Sequence, residues 1–103
     1  MVRTTKSVAE KRLGNIEQEK RFWCRDGREF MNLQELEAAF REMSDDTFRC
    51  HCNETKSDFS NWVRDVIGDE KLSKDLAKCT GPSQAAKIVA DRIAWLKNKI
   101  ATG

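Results

Sequence analysis

The stretch from Ser83 to Ile100 sets the tightest limit on what this chain can fold into. Ala86, Val89, Ile93, Leu96 and Ile100 follow one another at 3-4-3-4 spacing, a heptad seam, and Ile88 and Trp95 add a second apolar line beside it. A helix with so wide an apolar surface must be covered. One side is expected to lie on the core and the other to face a second subunit, unless the core absorbs both.

The partners for that helix are legible upstream. Asn32 is an N-cap with Glu35 three residues on, and Leu33, Leu36, Phe40 and Met43 make one stripe of the helix that follows. Ser44 before two aspartates predicts a short helix through Phe48 to about Cys52. Ser57 or Asp58 can cap the next one, in which Phe59, Trp62, Val63, Val66 and Ile67 repeat at helical spacing. Gly68 supplies a stop and Asp69 a fresh cap for a helix carrying Leu72, Leu76 and Cys79 inward.

Ahead of these helices, "RFWCRDGREFM" predicts a β-hairpin turning on Asp26-Gly27, a dipeptide suited to a two-residue type I′ turn. That turn pairs Cys24 with Glu29, Trp23 with Phe30 and Phe22 with Met31, making both faces apolar. Two strands alone are marginal in water, so the hairpin should be covered by helices or extended by a partner's strand. The fold class is therefore α+β and predominantly helical, with an N-terminal β-hairpin packed on four to five helices. Residues 1–18 are expected to form a basic, partly flexible tail, in which Ser7 and Glu10 outline a weak capping box. Residues 19–101 form a single compact domain.

Charge is unevenly distributed over the 103 residues. Residues 1–22 hold six Lys/Arg and three Glu, residues 29–70 four Lys/Arg and eleven Asp/Glu, and residues 71–103 seven Lys/Arg and two Asp. Basic ends and an acidic middle either pair with each other or leave the ends to an anionic partner. The candidate nucleic-acid contacts are Arg3, Lys6, Lys11, Arg12, Lys87, Arg92, Lys97 and Lys99, with exposed aromatics to stack on bases. A near-neutral total of +2 weighs against that class. No apolar run approaches the roughly 18 residues needed to span a bilayer, so no membrane role is expected.

Cys50-His51-Cys52, with Cys24 and Cys79 elsewhere, raises zinc and thiol catalysis. Structural zinc knuckles use C-x₂₋₄-C, whereas residues two apart on a helix of ~3.6 residues per turn point about 200° apart. A cysteine nucleophile needs a base facing it, which adjacency in sequence does not provide. No phosphate loop, H-E-x-x-H or G-x-S-x-G motif is present. The expectation is no enzyme, no cofactor and no metal, with reduced thiols in a cytoplasmic chain; the even cysteine count leaves disulfides arithmetically open.

The order "FWCRDG", then "NLQELEAAFREMSDDTFRCHCNETKSDFSNWVRDVIGDEKLSKDL", resembles a small domain family of unknown function found mostly in archaeal and some bacterial proteins. The resemblance covers about residues 20–97 and implies a compact stand-alone module in a prokaryotic cytosol, with no enzyme class attached. Its matching positions include His51, Asn53, Asp58 and Trp62, while Cys50 and Cys52 lie outside the pattern. Asp58 is expected to cap the helix from Phe59 and to accept a hydrogen bond from His51, making a joint or pocket between two helices. The expected function is a small non-enzymatic module acting through protein–protein contact or self-association, with Val89, Ile93, Trp95, Leu96 and Ile100 as the candidate interface. The alternative is nucleic-acid binding through the basic termini and last helix.

Overall fold

The structure is a computed structural model that describes residues 5–24, 27–53 and 55–102. Among these residues, six α-helices and one hairpin follow in order: α1 (Lys6–Leu13), β1 (Phe22–Trp23), β2 (Glu29–Phe30), α2 (Leu33–Glu42), α3 (Asp45–His51), α4 (Asp58–Trp62), α5 (Glu70–Ala77) and α6 (Pro82–Thr102). The chain is α+β and predominantly helical, as the periodicities require. Among the described residues no helix is long and apolar enough to cross a membrane.

Local chemistry explains most helix starts. The side chains of Asn32, Ser44 and Asp69 accept from the backbone N–H three residues on, at 2.8, 3.1 and 3.1 Å, each satisfying a donor that the helix itself cannot. Of the two candidate caps of α4, Ser57 and Asp58, the structure takes the first. Ser57 is its N-cap without a side-chain bond, so Asp58 is the first helical residue rather than the cap. α4 then widens into a π-helical segment, Val63–Ile67, closed by Gly68 at φ +86° with its N–H on the Val63 carbonyl.

From Thr5 onward, the segment expected as a tail packs on the body of the domain. Thr5, not Ser7, caps α1 by accepting from Val8 N–H at 3.2 Å. Ala9 is fully buried, Leu13 and Ile16 pack against the core, and α1 lies along α6. Residue 18 is therefore not an edge of the domain.

α6 is enclosed by α2, α1 and α5, and the seam is spent on them: Val89, Ile93 and Leu96 are buried, while Ile100 packs at the margin. Phe59 is the hub of an aromatic cluster, with ring centroids 4.8 Å from Phe40, 5.0 Å from Phe22 and 5.7 Å from Phe48. α4 and α5 are pinned by two buried serines. Ser60 Oγ donates to the Ser73 carbonyl at 2.7 Å and Ser73 Oγ to the Ser60 carbonyl at 2.9 Å.

The hairpin register differs from the expected one. Phe22 faces Phe30 and Trp23 faces Glu29, with Cys24 N–H donating to the Arg28 carbonyl at 2.8 Å. Gly27, at φ +94°, ends a three-residue connection, a role Asp-Gly serves as readily as the two-residue turn; Arg25 and Asp26 lie outside the described residues. Shifting pairing by one residue exchanges faces. Phe22 and Phe30 therefore stack at 5.7 Å on the core side, and Trp23 turns outward, so only one face of the hairpin is apolar throughout.

Candidate functional site

α3 ends on His51 and a short loop leads to α4, closed by a bridge between Cys52 and Ser57. Asn53 shapes that loop. Its N–H donates to the Lys56 carbonyl at 2.9 Å, its Nδ2 to the Arg49 carbonyl at 2.9 Å, and its Oδ1 accepts from Thr55 N–H at 2.9 Å. The turn brings His51 Nδ1 within 3.0 Å of Asp58 Oδ2, where Lys56 Nζ also lies at 3.2 Å. A carboxylate only accepts, so Nδ1 carries the proton in this pair. The imidazole is wedged against Phe22 and Phe59, with centroids 5.2 and 5.3 Å away, and its side chain is 12% exposed.

Trp62 closes the other side of this joint. Its Nε1–H donates to the Lys20 carbonyl at 2.8 Å, tying α4 to the chain just before β1, and its ring sits edge-on to Phe22. His51, Asp58 and Trp62 are thus brought together around Phe22, and their polar atoms are used in joining α3, α4 and the hairpin. Asn53 stands beside them as a loop-shaping residue.

Three of the five candidate interface residues are buried and a fourth, Ile100, is half-buried. Val89, Ile93 and Leu96 lie in the core and Ile100 packs against it, because α1 and α2 cover the seam from within the chain. Trp95 alone keeps substantial exposure, 38%, with the Arg92 guanidinium 4.2 Å and Lys99 Nζ 5.1 Å from its ring.

The basic candidates divide. Arg3 lies outside the described residues. Lys6, Lys11 and Lys97 are exposed, Arg12 and Lys99 are half-buried, and Lys87 meets Asp91 at 3.5 Å. Arg92 is a structural cation. It forks onto fully buried Asp69 through Nε–Oδ2 at 2.8 Å and Nη2–Oδ1 at 3.0 Å, so it is not available to phosphates. Together with Arg21–Glu29 at 2.7 Å, this pair links the basic ends to the acidic middle inside the molecule.

Cys24, Cys52 and Cys79 are buried and Cys50 is half-buried. Burial first, then nearby Cys52 and Asp75, push the Cys79 thiol up to about 11, the opposite of an activated nucleophile. Among the described residues no three His, Cys, Asp or Glu side chains group in a way that could hold a metal ion.

The surface that sequence reasoning missed lies on the outer side of the hairpin. Trp23 is 62% exposed, opposite Glu29, whose carboxylate also receives Arg21. Next to Glu29, between β2 and α2, runs a groove of about 390 Å³ with Phe30, Ala38 and Ala39 as its apolar lining and Glu29, Glu35 and Glu42 along its rim. Arg28 reaches across to Glu42 at 3.0 Å. The only sequence signal for this surface was the strand after Asp-Gly, and reading it depended on the register.

Fold and surface together define a helix-dominated α+β module that carries a two-stranded hairpin with one exposed aromatic face. Compared with protein-family models, with curated proteins and with solved structures, the chain matches none. The resemblance described above rests on its motif residues alone.

Proposed function

We propose that this chain is a small non-enzymatic binding module that acts through protein–protein contact, docking its partner on the outer face of the hairpin around Trp23. The observation that carries this reading is the 62% exposure of Trp23 on a strand whose other face is core. Tryptophan is among the residues most enriched at the centres of interfaces, since it buries a large rigid area and keeps an N–H for a partner. The joint at His51 and Asp58 supports the non-enzymatic part, because its hydrogen bonds and ring contacts are spent between structural elements. A cytoplasmic setting belongs to the same reading and draws on the buried thiols of Cys52 and Cys79, which serve as small packing groups.

One observation favours nucleic-acid binding as a second reading. α1 packs on α6, bringing Lys6, Lys11 and Arg12 onto the helix that carries Trp95, Lys97 and Lys99. A stacking ring beside cations is the arrangement that single strands use. A pull-down of the intact protein, with identification of both proteins and nucleic acid at low and moderate salt, separates the two. A protein retained at moderate salt supports the first reading; nucleic acid held at low salt and released as counterions compete supports the second and sinks the first.

A further inference from the structure

Two of the buried thiols meet although 27 residues separate them in the chain. Cys52 stands at the C-cap of α3 and Cys79 just past the end of α5, and the Cys52 Sγ lies 3.9 Å from the Cys79 carbonyl oxygen. The same sulfur approaches Ser57 Oγ at 3.8 Å, across the bridge that closes the turn into α4. The Cys79 Sγ is turned toward the Asp75 carbonyl at 3.6 Å, one helical turn back. Charge on one sulfur is felt at the other: burial first, then Cys52 and Asp75, hold the proton on Cys79.

We propose that Cys52 and Cys79 are a redox pair, which closes into a disulfide inside the native fold when a peroxide oxidises it and so fastens the end of α3 to the end of α5. Such a pair works whether or not Trp23 docks a partner. Closure asks the Cys79 Sγ to rotate off the Asp75 carbonyl toward Cys52, and a disulfide then holds its two Cα atoms about 4.4–6.8 Å apart. α3 can supply any remaining approach. Among the described residues it packs extensively on no other helix, and it is anchored by the rings of Phe48 and His51. Cys52 also follows His51 and bridges to Ser57, so the bond would brace the turn that carries the His51–Asp58 contact.

Hydrogen peroxide, small and uncharged, suits a buried pair. With Cys79 firmly protonated, Cys52 is the sulfur that meets the oxidant. It attacks one peroxide oxygen, the O–O bond breaks, and the departing hydroxide takes the thiol proton and leaves as water. The Cys79 sulfur then displaces hydroxide from the resulting sulfenic acid. The S–S bond forms, the S–O bond breaks, and the Cys79 proton leaves in a second water. The pair of thiols loses two electrons and the peroxide is reduced to two waters. Because the Cys79 proton is tightly held, closure is slow, which fits a lock set by sustained oxidation and not a catalytic thiol.

The test exposes folded full-length protein to hydrogen peroxide, removes the peroxide with catalase, and reads the intact mass and a non-reducing tryptic map. Wild type should lose about 2 Da, regained with dithiothreitol, and the map should join the peptide of residues 50–56 to that of residues 79–87. Cys52→Ser and Cys79→Ala should abolish the join and Cys50→Ser should keep it, which assigns the bond within the first peptide. The joined form should have a higher urea midpoint than the reduced form, since the cross-link constrains the unfolded chain, and it should form faster in native protein than in protein unfolded by urea. A join through Cys24 or Cys50 in place of this pair, oxygen addition with no loss of hydrogen, closure confined to unfolded protein, or a joined form whose midpoint does not rise overturns the inference.

Discussion

Asp69 and Arg92 form a charged pair that the fold cannot afford to split. Asp69 is fully buried, capping α5 through Leu72 N–H while taking the Arg92 fork. Arg92→Ala leaves that carboxylate without its cation, and denaturant unfolding should show a loss of about 3 kcal/mol, against less than about 0.5 kcal/mol for Lys97→Ala on the exposed face. His51 is a strut of the same kind. His51→Ala removes a bond to Asp58 and two ring contacts and should cost roughly 1–3 kcal/mol, visible as a lowered Tm; an unchanged melting curve would contradict the joint. Cys79 gives a pH signature. Its thiol is raised from 9.0 to about 11, so the folded state holds the proton more tightly than the unfolded chain. The resulting stabilisation is complete below pH about 9 and lost as pH rises toward about 11, and Cys79→Ala should flatten that alkaline limb of the urea midpoint. The partners that matter here differ in how far they could be read ahead. His51 and Asp58 are seven apart with a loop between, near enough to anticipate, whereas Arg92 and Asp69 are 23 apart and meet only once α6 has packed on α5.

At the level of elements, what could be read ahead follows the range of the forces. Asn32, Ser44 and Asp69 were readable as caps because each bond closes within three residues. α1 was not, because its apolar content is small and its stability comes from Ala9 and Leu13 landing on α6, a contact the local sequence does not encode. A variant lacking residues 1–14 should therefore lose about 2 kcal/mol or more from the exposed apolar surface, measured by denaturant midpoint, while a true tail would be removed without effect. The hairpin shows how a local ambiguity becomes functional. Asp-Gly fits both a two-residue and a three-residue connection, and the choice decides whether Trp23 faces Phe30 or turns outward beside Glu29. The candidate surface was hidden behind that single residue of register.

Over the whole molecule, the apolar seam of α6 and the basic ends have largely internal destinations. The seam is the axis around which α1, α2 and α5 assemble, and two of the arginines flanking the acidic middle close onto its carboxylates. What remains outward is a bipolar surface: Trp23 and the acidic groove at the hairpin, and Trp95 with the lysines of α1 and α6 elsewhere. Trp23 makes no core contribution, so Trp23→Ala should leave Tm nearly unchanged and separates binding from folding. The most direct test captures partners with wild-type protein and with Trp23→Ala at matched concentration and moderate salt, with melting curves taken on both. A protein partner should be retained by the wild type and lost by a variant that melts at the same temperature. Equal capture by both, or capture of nucleic acid alone, contradicts it.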